Sequence, residues 1–318
     1  MKYILYHYCS KNLSPILSPS QRLFRTCFGK KRGRIQRGEV FPGSVFRRSR
    51  KTLHNHLIFK YLSFVKKTFW TVVILYTNIG LVGLSAFAQQ KKNVFKQMQM
   101  SNPVVKQIYS KYWNALSDSM RFKKISPDSF TMYLRVFKYE KELEIWMKNT
   151  GEVRYQLFKT MYLCAVSGNL GPKKYNNDGQ IPEGFYEITN FNPKDKYKYL
   201  ALKISFPNAV DREMAEEPLT ANIFIHGTCE TTGDIVLDKE DMEQLYLLCV
   251  EMRNRKESIY IDIYPCRFSK ETETLLLSYP KKNIRFWDNI KDAYWYFEQN
   301  RWLPRINSNN KGKYIYEE

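Results

Sequence analysis

A single histidine and a cluster of small polar residues follow an apolar, β-branched run near the middle of the chain. The run 223–225 predicts a buried strand, and His226 and Gly227 end it. A polar loop containing Gly233 and Asp234 comes next. Histidine can take and return a proton near neutral pH, and flanking glycines let backbone N–H groups approach a bound carbonyl. The spacing favours chemistry on a carbonyl group, although a histidine at a strand end can also be purely structural.

Short strands separated by Gly, Pro, Asn or Asp turns are predicted on both sides of this loop. Several of them alternate apolar and polar residues, which is typical of a half-buried antiparallel sheet. The pattern predicts an α+β fold, mainly antiparallel, with flanking helices. The predicted strands cover residues 130–137, 143–147, 155–166, 184–188, 199–206 and 259–264.

Three helices are predicted from apolar residues at helical spacing. The first runs from Asn93 to about Lys124, and the second follows Asp238, which with Asp241 resembles a capping box. The third carries an aromatic stripe from Phe286 to Phe297, a pattern more typical of core packing than of ligand binding. The tail from Asn307 is expected to be loose.

The first part of the chain is strongly basic and precedes a segment that has the features of a signal peptide. The 318 residues carry a net charge of +20, and residues 1–67 hold 16 Lys or Arg against the single acid Glu39, a net charge of +15. Lys66 and Lys67 precede an apolar run, which ends in Ser-Ala-Phe-Ala at 85–88. A basic n-region, an apolar h-region and an A-x-A site predict secretion with cleavage after Ala88.

A signal peptide has to lie at the N-terminus, so the basic stretch 1–65 is expected to come from a start codon placed too early. N-terminal sequencing of the exported protein would refute this by finding any residue before Gln89. Two alternatives stay open. The basic stretch can be an arm for nucleic acid or an anionic membrane, and the apolar run can be an uncleaved anchor.

The exported remainder contains Cys164, Cys229, Cys249 and Cys266. An even number of cysteines in an oxidising compartment permits two disulfides, but spacing alone does not pair them. Cys249 falls on the apolar side of its helix, which favours a buried free thiol. Residues 89–318 contain one of the four histidines of the chain, His226, and no C-x-x-C pair, so neither a metal site nor a cofactor is predicted.

Several ordered sequence blocks resemble the catalytic domain of L,D-transpeptidases, the YkuD-like family, and within it the YafK-like branch. The similarity runs from about Phe130 to Arg267. The blocks are 158–160, 167–173, 180–186, 206–212 and 224–227, and the segments 286–288 and 296–298 also look like this branch. The resemblance implies a YkuD-like sandwich and a cell-wall enzyme whose cysteine attacks a carbonyl of a peptidoglycan stem peptide.

The family pattern is His-Gly, a short spacer, and then Ser/Thr-x-Gly-Cys. His226 and Gly227 match the first pair, Thr231 matches the Ser/Thr, and Gly233 matches the glycine. The resemblance implies that the loop, including Thr232, contacts substrate or an oxyanion. The nucleophile position is Asp234, and Tyr199 aligns where the branch usually has an upstream histidine.

These two departures predict that cysteine-type acyl transfer is absent or very slow. A carboxylate is a far weaker nucleophile than a thiolate, and its attack on an amide would give an anhydride. Cys229 is a candidate replacement nucleophile, against a structural thiol or a disulfide partner. Asp234 is a candidate general base for water beside His226, against a solvated carboxylate left after loss of activity.

The sequence therefore predicts an exported, periplasmic protein directed at peptidoglycan stem peptides, with no nucleic-acid partner and no membrane span after cleavage. It is either an enzyme of unusual chemistry or a pseudoenzyme that binds without cutting. A basic nucleic-acid-binding protein is the third alternative, and removal of 1–88 would remove most of the charge that motivates it. The predicted layout is a basic extension 1–65, signal peptide 66–88, helical lead-in 89–127, YkuD-like domain 128–268 and C-terminal helical segment 269–318.

Overall fold

The computed structural model describes residues 65–69, 71, 94–309 and 311–317. The chain divides into two units, 1–69 and 70–318, and every element named below lies in the second. Apart from 65–69 and 71, the predicted basic extension and signal peptide lie outside the described residues. Within those ranges, no helix has both the length and the apolar character needed to cross a membrane. The residue limits of the predicted domains stay predictions.

Helices and strands are mixed along the second unit. The helices are α1 (Val94–Met100), α2 (Pro103–Phe122), α3 (Ala209–Met214), α4 (Lys239–Asn254), α5 (Lys270–Leu277) and α6 (Lys281–Asn300). The strands are β1 (Phe130–Phe137), β2 (Glu142–Asn149), β3 (Gln156–Ala165), β4 (Gly184–Asn192), β5 (Ala201–Ile204), β6 (Phe224–His226), β7 (Ile235–Leu237), β8 (Tyr260–Tyr264), β9 (Arg305–Ser308) and β10 (Tyr314–Glu317). The α+β prediction is confirmed.

Eight strands form a closed sheet in the order β1-β2-β3-β7-β6-β5-β4-β8. Most neighbouring strands are antiparallel, as predicted, and two pairs, β1–β8 and β6–β7, are parallel. The predicted sandwich is not confirmed, because the sheet closes on itself. Antiparallel neighbours such as β1 and β2 are joined by a tight turn. The parallel pair β1–β8 joins the first and last strands of the sheet, which lie far apart in sequence, whereas β6 and β7 are joined by the loop 227–234. Local alternation does not encode that choice of partner.

Helix α4 is buried on nearly every face and fills much of the main core. The predicted stripe of Met242, Leu245, Tyr246, Cys249 and Met252 is fully buried, which confirms the prediction. The helix begins at Asp238, whose side chain accepts a hydrogen bond from the Asp241 backbone N–H at 2.8 Å. This N-cap fixes the start of α4 directly after the chain leaves β7.

The predicted lead-in helix is two helices. Asn102 interrupts it, and its side chain accepts hydrogen bonds from the Val104 and Val105 backbone N–H groups. Pro103 then occupies the first turn of α2, where its missing N–H costs nothing. The Asn102-Pro103 pair indicates a helix boundary in the sequence, but the apolar residues recur at helical spacing across it and hide the break.

The C-terminal segment packs against the outer face of the closed sheet. The aromatic stripe of α6 is buried, as predicted. The expectation of a loose tail is wrong, because β9 and β10 form an antiparallel hairpin. Tyr314 is buried, and its backbone N–H donates to the Asn289 side chain at 2.8 Å. A side-chain contact with α6 orders residues that local sequence does not.

Candidate functional site

The candidate site is the loop that joins the parallel strands β6 and β7. His226 is the last residue of β6 and pairs with Val236, while Asp234 immediately precedes β7. Strand pairing therefore brings the histidine and the aspartate together across a loop of seven residues, 227–233. Both side chains are buried, with 1% of His226 and 7% of Asp234 exposed.

The Asp234 carboxylate is held from three sides. Oδ1 accepts a hydrogen bond from the Phe224 backbone N–H at 2.8 Å. Oδ2 pairs with the Lys198 ammonium and lies 3.3 Å from Nε2 of His226. Both carboxylate oxygens are thus engaged by donors of this chain.

The surroundings of Asp234 hold its pKa below the ordinary aspartate value. Burial by itself raises the pKa, because it disfavours the charged form. The contacts with His226, Lys198 and the Phe224 amide lower it and outweigh burial. An ionised carboxylate with a depressed pKa is a weak base toward water.

His226 is fixed on one side of its ring and less tightly held on the other. Nδ1 lies 2.9 Å from the Thr228 hydroxyl. Nε2 is buried and within ion-pair distance of Asp234, but it lacks an aligned hydrogen bond with any described residue. When the Thr228 hydroxyl donates to Nδ1, the ring proton lies on Nε2, on the side of Asp234.

Cys229 forms a disulfide with Cys164 on β3. This corrects its prediction as a replacement nucleophile, because the sulfur of a disulfide is not a thiolate. The bond ties the loop to β3, and Cys229 there has a positive φ of 55°. Cys249 and Cys266 are buried free thiols, so these four cysteines form one disulfide and not the two that their number permits.

The predicted oxyanion and substrate groups of the loop already have partners, with one exception. The Gly227 N–H donates to the Tyr199 carbonyl at 2.9 Å, and the Gly233 N–H donates to Thr231 Oγ1 at 3.1 Å. The Thr231 hydroxyl in turn donates to the Asp234 carbonyl at 2.6 Å. Thr232 is exposed on the loop surface. The loop is therefore closed by its own hydrogen bonds.

Tyr199 lies behind the loop instead of beside the carboxylate. Its ring packs against Gly227, where a Cβ would come within 3.1 Å of it. Its hydroxyl donates to Glu243 of α4 at 2.6 Å, and burial together with this carboxylate raises its pKa. Tyr199 thus supports His226 through packing on Gly227 and makes no contact with Asp234 among the interactions of the described residues.

Lys198 and Glu243 are site residues that sequence reasoning missed. Lys198 lies in a run with Lys194 and Lys196, and nothing in the sequence distinguishes the lysine that turns inward. Glu243 belongs to the buried side of α4, where a carboxylate next to the apolar stripe was the available signal. Among the described residues, no group of three or more His, Cys, Asp or Glu is placed to hold a metal ion.

No family model matches the chain. It is 29% identical over 240 residues to the protein named "Putative L,D-transpeptidase YafK" of Escherichia coli strain K12, a match that covers 74% of this chain and 82% of the relative. The protein of that name from strain O157:H7 matches equally. These matches support the resemblance to L,D-transpeptidases that the sequence blocks indicate.

Solved structures give distant matches. The helical cell shape determining protein Pgp2 from Campylobacter jejuni is 17% identical, with a TM-score of 0.35 over 57% of this chain and 74% of its own. L,D-transpeptidase 1 of Mycobacterium tuberculosis is 10% identical, with a TM-score of 0.25 over 42% of this chain and 62% of its own.

Compared with the L,D-transpeptidase pattern that the sequence resembles, the chain has the histidine and has aspartate where the pattern has cysteine. His226 and Asp234 are adjacent, so the loop brings together the two positions that the family pattern pairs. A thiolate at position 234 would lie beside Lys198 and His226, a setting that lowers a thiol pKa. The carboxylate that occupies it is instead the anion of a buried ion pair.

Proposed function

We propose that this L,D-transpeptidase-like protein is exported to the cell envelope and binds peptidoglycan stem peptides without cutting or joining them. The observation that carries the proposal is the engagement of both Asp234 oxygens by Phe224, Lys198 and His226. Nucleophilic attack would have to break these contacts and would form an anhydride more reactive than its parent amide. Retention of the His-Gly pair and of the loop frame supports a binding role.

Further observations support the envelope as the place of action. Residues 66–88 have the three-part pattern of a signal peptide. The Cys164–Cys229 disulfide fits an oxidising compartment outside the cytoplasm. The Escherichia coli relative carries the name "Putative L,D-transpeptidase YafK", which fits the same substrate class.

A second candidate function is hydrolysis, with Asp234 and His226 as a proton-transfer pair acting on water. The buried Nε2 without an aligned hydrogen bond, 3.3 Å from Asp234, favours this alternative. The low pKa of Asp234 and its pairing with Lys198 oppose hydrolysis. Both stabilise the ionised carboxylate and so weaken its tendency to take a proton from water.

The test is mass spectrometry of muropeptides from purified sacculi after incubation with the protein, together with a co-sedimentation assay for binding. We expect the native protein to sediment with sacculi and to leave the muropeptide profile unchanged. We expect Asp234→Cys to produce cleaved or newly cross-linked stems, and the double variant Asp234→Cys/His226→Ala to lose them. Asp234→Ser is the matched control, since it has a similar size and lacks the thiol.

The possible outcomes separate the candidates. Products from the native protein that disappear in His226→Ala would overturn the proposal in favour of the hydrolase. Absence of sedimentation by the native protein would refute the binding role. Peptide mapping of Asp234→Cys without reduction has to show the Cys164–Cys229 bond, because a third nearby thiol can exchange with it.

A further inference from the structure

A cleft of about 780 Å³ opens between the outer face of β4 and β8 and the C-terminal hairpin β9–β10. It shares no lining residue with the loop that carries His226 and Asp234. Its volume lies in the range of pockets that hold small organic ligands. The mechanism suggested by the family leaves this cleft without a role.

The floor of the cleft is a square of two aromatic and two acidic side chains. On the antiparallel strands β4 and β8, Phe185 lies opposite Asp262 and Glu187 lies opposite Tyr260. Residues two apart on a strand share a face, so all four side chains point to the same side of the sheet. The carboxylates occupy one diagonal of the square and the aromatic rings occupy the other.

Asp262 is a buried carboxylate with one uncommitted oxygen. Only 5% of the residue is exposed, and Oδ2 accepts hydrogen bonds from the Tyr133 hydroxyl at 2.5 Å and the Tyr264 hydroxyl at 3.0 Å. Oδ1 accepts none from the described part of the chain, although the residue lines the cleft. Burial raises the Asp262 pKa to about 7 against the lowering effects of both tyrosines and of Arg135. A bound cation would stabilise the ionised form.

Glu187 is half-buried, and its carboxylate has neither a hydrogen bond nor an ion pair with a described residue. The basic residues nearby are committed or turned to solvent. Arg135 pairs with Glu144 and Glu298. Arg305, which lines the cleft, has a side chain 78% exposed and lies 3.7 Å from Glu317. Neither floor carboxylate forms an ion pair with a described residue, although Arg135 lies opposite Asp262 on β1 and lowers its pKa.

The walls provide apolar and aromatic surface for the rest of a ligand. Leu303, Pro304 and Ile306 line one side, and the ring of Tyr314 meets Phe185 edge to face at 4.5 Å. Tyr260 is 43% exposed, so part of its ring is open to the cleft. Aromatic faces attract cations, and the attraction is largest where the cation is desolvated.

We propose that this cleft is a binding site for a primary ammonium group carried on an aliphatic stem. The carboxylates of Glu187 and Asp262 hold the ammonium, Tyr260 and Phe185 flank it, and Leu303, Pro304 and Ile306 contact the stem. This inference goes beyond the proposed function and does not depend on the chemistry at Asp234.

The experiment is isothermal titration calorimetry of the full chain with three probes. Nα-acetyl-lysine N-methylamide carries the ammonium as a peptide side chain would, and 1,5-diaminopentane carries it as a free amine. Nα-acetyl-norleucine N-methylamide has a similar stem without the charge. We expect both amines to bind at least about tenfold more tightly than the neutral probe, because each charge-assisted hydrogen bond is strong in a buried site. Tighter binding of the lysine derivative would indicate a peptide side chain as the ligand, and tighter binding of 1,5-diaminopentane would indicate a free amine.

Glu187→Gln and Asp262→Asn are expected to weaken amine binding by about tenfold each, and Glu240→Gln, an exposed acid of α4, is expected to leave it unchanged. Equal binding of the charged and neutral probes would overturn the proposal. So would amine binding that survives both cleft substitutions, or absence of binding by every probe at millimolar concentration. Glu187→Gln changes a half-buried position and keeps the test valid if Asp262→Asn fails to fold.

Discussion

Lys138 with Glu183 and Lys198 with Asp234 are both lysine–carboxylate pairs, but they differ in how completely their hydrogen bonds are used. Lys138 is fully buried, and its ammonium donates to the Gly171 carbonyl at 3.1 Å, the Ile181 carbonyl at 2.9 Å and Glu183 at 3.0 Å. Glu183 also accepts from the Gly171 N–H at 2.6 Å and from Trp287 Nε1 at 2.6 Å.

The second pair is more open. The Lys198 side chain is 30% exposed, and the neighbouring His226 has a buried Nε2 without an aligned hydrogen bond. The Lys138–Glu183 pair uses all of these donors and acceptors within the chain, and it joins the 171–183 segment to α6. The Lys198–Asp234 pair lies beside a buried His226 nitrogen without a hydrogen bond to a described residue, and its lysine is partly exposed. Both features are typical of a functional site. Substitutions in each pair test this difference.

The largest effect is expected from Glu183→Gln. Neutralising this side chain leaves the Lys138 ammonium buried without an ionic partner, and breaking a buried pair from one side costs about 3–5 kcal/mol. Burial already lowers the Lys138 pKa despite the pull of Glu183, so the variant lysine has even less support for its charge. Urea unfolding measures the loss. The double variant Lys138→Met/Glu183→Leu should lose less than Glu183→Gln, and a larger loss in the double variant would contradict a structural role for the charges.

Removal of the disulfide is expected to have the next largest effect. Cys164→Ser/Cys229→Ser opens a link across 65 residues, and losing a link of that kind typically costs about 2–4 kcal/mol. Urea unfolding of native and variant protein under oxidising conditions measures it. Dithiothreitol should destabilise the native protein and leave the variant unaffected. Equal stability of the two proteins would show that β3 alone holds the loop in place.

Asp234→Asn is expected to destabilise the protein by about 1–3 kcal/mol at pH 7, because hydrogen bonds to a charged group are lost. The folded pKa of Asp234 lies below its ordinary value, so its stabilisation is present above about pH 4 and is lost as the pH falls through the folded pKa. The stability difference between native and Asp234→Asn protein should therefore shrink as unfolding is measured from pH 7 toward pH 3. A difference independent of pH would show that the Asp234 charge does not contribute.

Tyr199→Phe is expected to have the smallest effect, about 1 kcal/mol, since it removes one hydrogen bond to Glu243 and keeps the ring against Gly227. Thermal unfolding gives the loss. The matched variant Tyr199→Leu removes the ring as well and should cost more. If the two variants are equally stable, the ring does not support the His226–Gly227 turn.

The His-Gly motif, the strand before it and the capped helix after it are visible in the sequence because each depends on near neighbours. The same holds for the α4 and α6 stripes, whose apolar period matches their burial. The split between α1 and α2 and the ordered tail were missed. One was concealed by a continuous apolar period, and the other depends on Asn289 holding Tyr314 from a distant helix.

The sequence alone shows an aspartate where the resembled pattern has its cysteine, with a histidine eight residues before it, because residue identity and local order are written in the chain. Tertiary structure alone decided that Lys198 pairs with this aspartate, that Cys229 bonds to Cys164, and that Glu187 and Asp262 share the floor of one cleft. These partners come from different strands and loops. Pairing of strands that are distant in sequence brings them within the few ångströms over which hydrogen bonds and charge pairing act.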